Sequence, residues 1–221
     1  MRAFILTAAV LFLFIPAFGQ NEAAPMQVKE VNYKNWTYKN LRTGEDSELR
    51  SMIKGKKAVM LVYFAPFCPN WRHDAPILQR LYDKYRSQGL EIIAIGLYDP
   101  AAAMQKNLEQ LKISFPAVIE SESRADKTTS EHYKYRRAAG DNRGWGTPWY
   151  VLFTPNDVEK TGDVLLKKAN IINGEMILDE VESYIREKLG IKPDAQTVSS
   201  ADKAIEPCDE GKKAPELRKP S

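Results

Sequence analysis

The sequence predicts an α/β fold, with helices flanking a central mixed sheet, and three observations carry that expectation. The β-rich run at residues 58–64 is continuously apolar rather than alternating, as in a strand covered on both faces, and residues 90–97 read as a second buried strand. Stretches of helical period follow them, at residues 69–87, about 100–111 and 176–189. Strands alternating with helices of this length point to layers joined by crossovers and a partly parallel sheet.

Taken in order, residues 20–33 are polar and mixed and read as a leader. Residues 36–41 alternate enough for a short strand, Thr43-Gly44 turns, and residues 46–53 suit a helical turn. The buried strand 58–64 runs into a helix over 69–87, where Leu78, Leu81, Tyr82 and Tyr85 recur at helical spacing. Gly89 ends that helix. After the strand at 90–97, Asp99 is placed to cap a helix opening with Pro100. A short strand follows at 115–119, then a helix at 131–139, and strands at 149–153 and 164–172 closed by Gly174. The last helix, 176–189, sets Ile177, Val181, Tyr184, Ile185 and Leu189 on one face.

The ends read differently. Arg2, an apolar run to Phe18 and the small-x-small pattern Ala17-Phe18-Gly19 suit a signal peptide over residues 1–19. That run is shorter than the ~20 residues a spanning helix needs, and Pro16 interrupts it. Residues 191–221 are too polar to fold alone and read as a disordered tail, leaving a domain at 34–190. The expected location is therefore periplasmic or secreted, with no membrane span once the signal is cut. Removing Arg2 with the signal lowers the formal charge from +3 to about +2, a balance that argues against a nucleic-acid partner.

Two cysteines, Cys68 and Cys208, lie far apart in a chain marked for an oxidising compartment. Cys68 stands where the first buried strand becomes a helix, and Pro69 fits the first helical position because its missing N–H is unpaired there anyway. Unpaired N–H groups and the helix dipole favour a thiolate at such a junction, and the thiolate is the attacking species. A buried, inert thiol at a strand end is the competing reading.

The stretch Phe64-Ala65-Pro66-Phe67-Cys68-Pro69-Asn70-Trp71-Arg72 resembles the thioredoxin-like redoxins of the TlpA/ResA type, whose pattern is aromatic-Trp-Ala-x-Trp-Cys-x-x-Cys. Gly146-Thr147-Pro148, directly before the strand at 149–153, is similar to that family's Gly-x-Pro segment, in which the proline is cis and faces the cysteine. Asp74 stands where such proteins often carry an acidic residue, usually Glu, that handles protons. The resemblance runs over residues 35–189. It implies a thioredoxin-like fold and thiol–disulfide exchange, with Cys68 as nucleophile, Asp74 assisting, and Thr147, Pro148 and Trp71 meeting the substrate. Its implied partners are protein or small-molecule thiols and disulfides.

The departure from the pattern is Trp71, which stands in place of the second cysteine. In a dithiol enzyme that second sulfur releases the product from a mixed disulfide. An indole cannot do so and is expected to add bulk beside Cys68. An external thiol such as glutathione, or a second protein, could supply the sulfur. Cys208 could also swing in across 18 spacer residues at ~3.3 Å each. Otherwise turnover is lost, and the fold is a non-catalytic module for extended peptides or a protein partner.

Other chemistries fit less well. His73 and His132 with Cys68 supply too poor a ligand set for a metal, and no cofactor is expected. A peroxidatic cysteine would want Thr where Ala65 stands. Phe67, Trp71, Trp145 and Trp149 are candidates for an aromatic rim, against ordinary core packing.

Overall fold

A computed structural model describes residues 23–192. The signal peptide, the tail beyond Lys192 and Cys208 lie outside the described residues. Ten strands are β1 (Ala23–Ala24), β2 (Gln27–Lys34), β3 (Thr37–Asn40), β4 (Asp46–Glu48), β5 (Ala58–Phe64), β6 (Leu90–Gly96), β7 (Ala117–Ile119), β8 (Trp149–Phe153), β9 (Val164–Ile172) and β10 (Glu175–Met176). The helices are α1 (Leu49–Met52), α2 (Pro69–Tyr85), α3 (Ala101–Gln110), α4 (Glu131–Ala138) and α5 (Leu178–Leu189).

Eight strands form one mixed sheet in the order β2-β9-β8-β5-β6-β7-β3-β4. β5, β6 and β7 run parallel, and β8 runs antiparallel to β5. Every residue of β5, β6 and β8 is buried, which is why these strands read as largely apolar runs, with Glu91 of β6 paired to Lys56. Each large apolar side chain so covered contributes ~1.5–3 kcal/mol. Helix α2 packs on β6 and α5 on β5.

Most of the expected elements are present within a few residues, and the differences have physical causes. Residues 27–34 are part of the sheet rather than a leader: β2 pairs antiparallel with β9 along its edge. Only Val31 and Tyr33 of β2 are buried, so the period of two is masked by the polar residues an edge strand carries. Residues 46–48 form β4, and only 49–52 are helical. Asp99 does not cap α3; it pairs with Arg124 at 3.3 Å, and Pro100 is the N-cap residue. The last helix begins at Leu178, and Ile177 stays 41 % exposed while Val181, Tyr184, Ile185 and Leu189 are buried.

Candidate active site

Helix α2 starts where β5 ends, and the connection is a tight turn. The Cys68 N–H donates to the Ala65 carbonyl at 2.9 Å. Arg72, one turn into α2, donates from Nε and Nη2 to the Pro66 carbonyl at 3.2 and 3.1 Å, which fixes the turn. Cys68 is the N-cap residue of α2 in an extended conformation, and Pro69 opens the helix.

Facing it is the loop before β8. The Thr147–Pro148 peptide is cis, and the Cys68 thiol donates to the Thr147 carbonyl at 3.2 Å. Cys68 is a free thiol and only 6 % exposed.

A buried ion network holds this loop. Arg143 donates from Nε and Nη2 to the Asp141 carboxylate at 2.8–3.2 Å and from Nη2 to the Pro148 carbonyl at 2.9 Å. Arg136, from α4, donates to the Arg143 carbonyl at 2.6 Å and the Gly144 carbonyl at 3.3 Å, with Asp141 at 3.9 Å. Burial lowers the Arg136 pKa, and the charge of Asp141 opposes that shift. Gly146 completes the loop at φ +68°, and a Cβ there would stand 2.4 Å from Arg136 Cδ. Both the left-handed backbone and the close packing require glycine.

Between turn and loop lies a cleft of about 270 Å³, whose walls include Phe67, Cys68, Asn70, Trp145 and Thr147. The four aromatic candidates divide evenly. Phe67 and Trp145 are half-buried at this cleft, edge to face at 5.1 Å, whereas Trp71 and Trp149 are fully buried. Arg124 stands over the Phe67 ring at 4.5 Å and Lys127 over the Trp145 ring at 4.4 Å.

Trp71 is therefore a correction to the expected site. It has no exposed surface, and it does not line the cleft. Its ring packs on Phe64 at 4.7 Å, and its Nε1–H donates to Asn107 Oδ1 at 2.9 Å. A side chain so placed presents nothing to a substrate. The helical period explains this: residue 71 lies two turns before Leu78, on the face that packs inward.

Asp74 is also fully buried. Its Oδ2 accepts from the Tyr150 hydroxyl at 2.5 Å and from the Met176 N–H at 3.1 Å, and His73 Nδ1 lies 3.0 Å from Oδ1. Burial pushes the Tyr150 phenol well above its ordinary pKa, and the negative charge of Asp74 and the bond to it push the same way, as does Cys68. Tyr150 therefore stays protonated and its hydroxyl donates a hydrogen bond to Asp74, linking the carboxylate to β8 just beyond the cis peptide. The sequence reading missed Tyr150; a tyrosine inside an all-apolar strand was the available signal, since a buried hydroxyl needs a partner. It also missed the Arg136–Asp141–Arg143 network and the cations at the rim. Among the described residues no group of three His, Cys, Asp or Glu is placed to hold a metal ion.

Comparison with known proteins agrees with this geometry. The AhpC/TSA family model matches residues 27–160. The thiol-disulfide oxidoreductase ResA of Halalkalibacterium halodurans is 36% identical over 77 residues, covering 35% of this chain and 43% of that protein. The chain thus spans less than half of that relative. ResA of Bacillus cereus is 25% identical over 184 residues, covering 82% of this chain and 90% of that protein. Among solved structures, a thiol:disulfide interchange protein of the thioredoxin family from Chlorobium tepidum superposes with a TM-score of 0.50 at 17% identity, over 76% of this chain and 100% of that one. At that identity the likeness concerns the fold, which is thioredoxin-like.

Proposed function

The chain belongs to the AhpC/TSA family, and from that premise we propose that it performs thiol–disulfide exchange through the single sulfur of Cys68. The observation that carries the reading is the Cys68 thiol at the start of α2, 3.2 Å from the Thr147 carbonyl on the wall of a cleft. The names of the ResA relatives support the same reaction class.

In this reading the Cys68 thiolate attacks one sulfur of a disulfide R–S–S–R′. The Cys68–S–S–R bond forms, the S–S bond of the substrate breaks, and R′–S⁻ leaves and takes up a proton. An external thiol R″–SH gives up its proton and attacks the R sulfur, which forms R–S–S–R″ and returns Cys68 as thiolate. One disulfide is exchanged for another, so no further oxidant or reductant enters. Thr147 and Pro148 offer the edge on which the substrate backbone rests. Asp74, held by Tyr150, is the neighbouring carboxylate that assists proton movement. The substrates are protein or small-molecule disulfides. The N-terminal pattern supports an exported, periplasmic or secreted protein; no helix among the described residues is long and apolar enough to cross a membrane.

The burial of Cys68 favours a second reading, a non-catalytic thioredoxin-fold module that binds an extended peptide or a protein partner. One experiment separates the two. The native full chain is treated with a neutral dipyridyl disulfide, and thiopyridone release is followed while peptide mass reads Cys68 alone. The exchange reading expects a mixed disulfide on Cys68 that an added thiol then clears, and none at that position in Cys68→Ser. A Cys68 that reacts only after denaturation overturns it. A Cys68–Cys208 peptide appearing on mild oxidation would assign the resolving sulfur to the chain itself rather than to an external thiol.

A further inference from the structure

The cleft has a chemical preference written into its rim. Five cations stand on its wall or against the residues that line it, and four are already engaged. Arg124 pairs with Asp99 at 3.3 Å. Arg72 is spent on the Pro66 carbonyl. Arg136 and Arg143 are held by Asp141 and by loop carbonyls. Lys127 differs: among the described residues no carboxylate pairs with it. Its neighbour Asp126 is turned away, accepting from Ser121 Oγ at 2.7 Å.

Lys127 is nonetheless held in place. Its ammonium stands 4.4 Å over the Trp145 ring, an arrangement that restrains a cation without neutralising it. It also approaches Gly144, lying 4.0 Å from where a Cβ on that residue would be. Gly144, Trp145 and Cys68 line the same cleft. A second feature points to a ligand. Thr147, another wall residue, is 4 % exposed, and its hydroxyl oxygen has no hydrogen-bond partner. A buried hydroxyl left unpaired costs free energy that an incoming acceptor would recover.

We propose that Lys127, stacked on Trp145 beside Cys68, forms an anion subsite that selects a low-molecular-weight thiol bearing a carboxylate as the thiol that resolves the Cys68 mixed disulfide. The inference rests on the exchange reading and answers what stands in for the sulfur missing at position 71. The carboxylate meets the ammonium, a side-chain rotation that turns the enclosed Thr147 hydroxyl to the cleft would give it an acceptor on the same molecule, and the thiol of that molecule carries out the second displacement written above. A cation at the rim acts mainly on the rate of encounter and is screened by salt.

The test uses charge-matched probes on the native full chain, with Cys68 read by peptide mass. Alkylation by iodoacetate is compared with alkylation by neutral iodoacetamide, and the ratio is referred to that of the denatured chain. At low salt the native ratio should exceed the denatured one by about fivefold, a modest rim-charge effect. Lys127→Gln or half-molar salt should abolish the excess. In parallel, the Cys68–thiopyridine mixed disulfide is cleared with mercaptopropionate, mercaptoethanol or cysteamine, and the anionic thiol should be fastest, in a Lys127-dependent way. Equal ratios in wild type and Lys127→Gln, or clearance without charge preference, overturn the subsite and leave exchange standing. A Lys127-dependent iodoacetate preference in a chain that forms no mixed disulfide keeps the anion site but overturns both its role in resolution and the exchange reading.

Discussion

Cys68 and Trp71 stand one turn apart at the start of α2, yet the surroundings of the two side chains are built on different principles. On the Cys68 face the walls are loop backbone, half-buried aromatic rings and cations. A buried thiol there has a single carbonyl partner and a cleft in front of it. On the Trp71 face the polar atoms are paired: the indole N–H with Asn107, and the carboxylate of Asp74 with Tyr150 and Met176. One side sets a thiol against the wall of a cleft; the other is core. The tryptophan that replaces the second sulfur has joined the core rather than left a gap in the site.

The most direct way to break that contrast is to remove the indole. Trp71→Ala should cost about 3–5 kcal/mol, as other large aromatic truncations in cores do, measured by urea unfolding. A loss below about 1 kcal/mol would show that Trp71 is not built into the core as described. Trp71→Cys should lose a comparable amount. It should also gain insulin-reducing activity, because a sulfur at that position returns one helical turn from Cys68. Cys68→Ser, at the cleft wall, should abolish mixed-disulfide formation at that position while changing the unfolding midpoint far less.

Gly146 tests the seam between the two faces. Gly146→Ala must accept a φ of +68° and a Cβ 2.4 Å from the buried Arg136 side chain. The strained backbone alone costs ~1–3 kcal/mol, and the loop must shift to relieve the contact. Both stability and the rate of Cys68 exchange should fall, since the loop carries Thr147. A variant that loses stability with an unchanged exchange rate would separate the loop from the chemistry.

How much of this was legible in the sequence follows from what each face is made of. β5, β6 and β8 could be read because strands buried on both faces are dominated by apolar residues. The placement of Cys68 was legible from helix-start chemistry, and that of the Gly146-Thr147-Pro148 loop opposite it only from the resemblance to a known family. The edge strand β2 was not, because only Val31 and Tyr33 turn inward among polar neighbours. Charged residues such as Arg136 and Asp141 read as solvated surface until the fold closes a ring of carbonyls and carboxylate around them. Trp71 could have been placed by extending the apolar stripe of α2 two turns back from Leu78. The motif comparison drew it toward the site instead.

Tyr150→Phe is a smaller perturbation on the buried face. It takes one donor from Asp74 and leaves a buried carboxylate with the Met176 N–H and His73, at a cost of about 1–3 kcal/mol. If Asp74 also assists the exchange, the pH profile of mixed-disulfide formation should change in this variant. A stability loss with an unmoved profile would confine Asp74 to the core.

The smallest effect expected is one of pH, and it should appear on the core side alone. Glu120 is half-buried, accepting from the Tyr38 hydroxyl at 3.1 Å and the His132 N–H at 2.9 Å. Burial pushes its carboxyl up from 4.5 to about 7. A raised folded-state value means that the folded chain holds the proton more tightly than the unfolded chain. Its contribution is therefore complete below pH 4.5 and lost as pH rises through about 7. Partial exposure limits that loss to about 1–2 kcal/mol. His132 acts in the opposite sense. Burial and the nearby Arg136 charge hold it well below its usual 6.5, so its contribution is lost as pH falls beneath that value. In the wild type the two slopes oppose each other as pH falls beneath 6.5. Glu120→Gln removes the first and leaves the second, so its unfolding free energy should climb with pH up to about 6.5 and then level. Urea titrations at stepped pH would read this. The same variant should alkylate Cys68 at the wild-type rate across the series, because Glu120 does not line the cleft. An altered Cys68 rate in Glu120→Gln would mean that the two faces are coupled through His132 and Trp149, whose rings lie 5.8 Å apart just beyond the cis peptide.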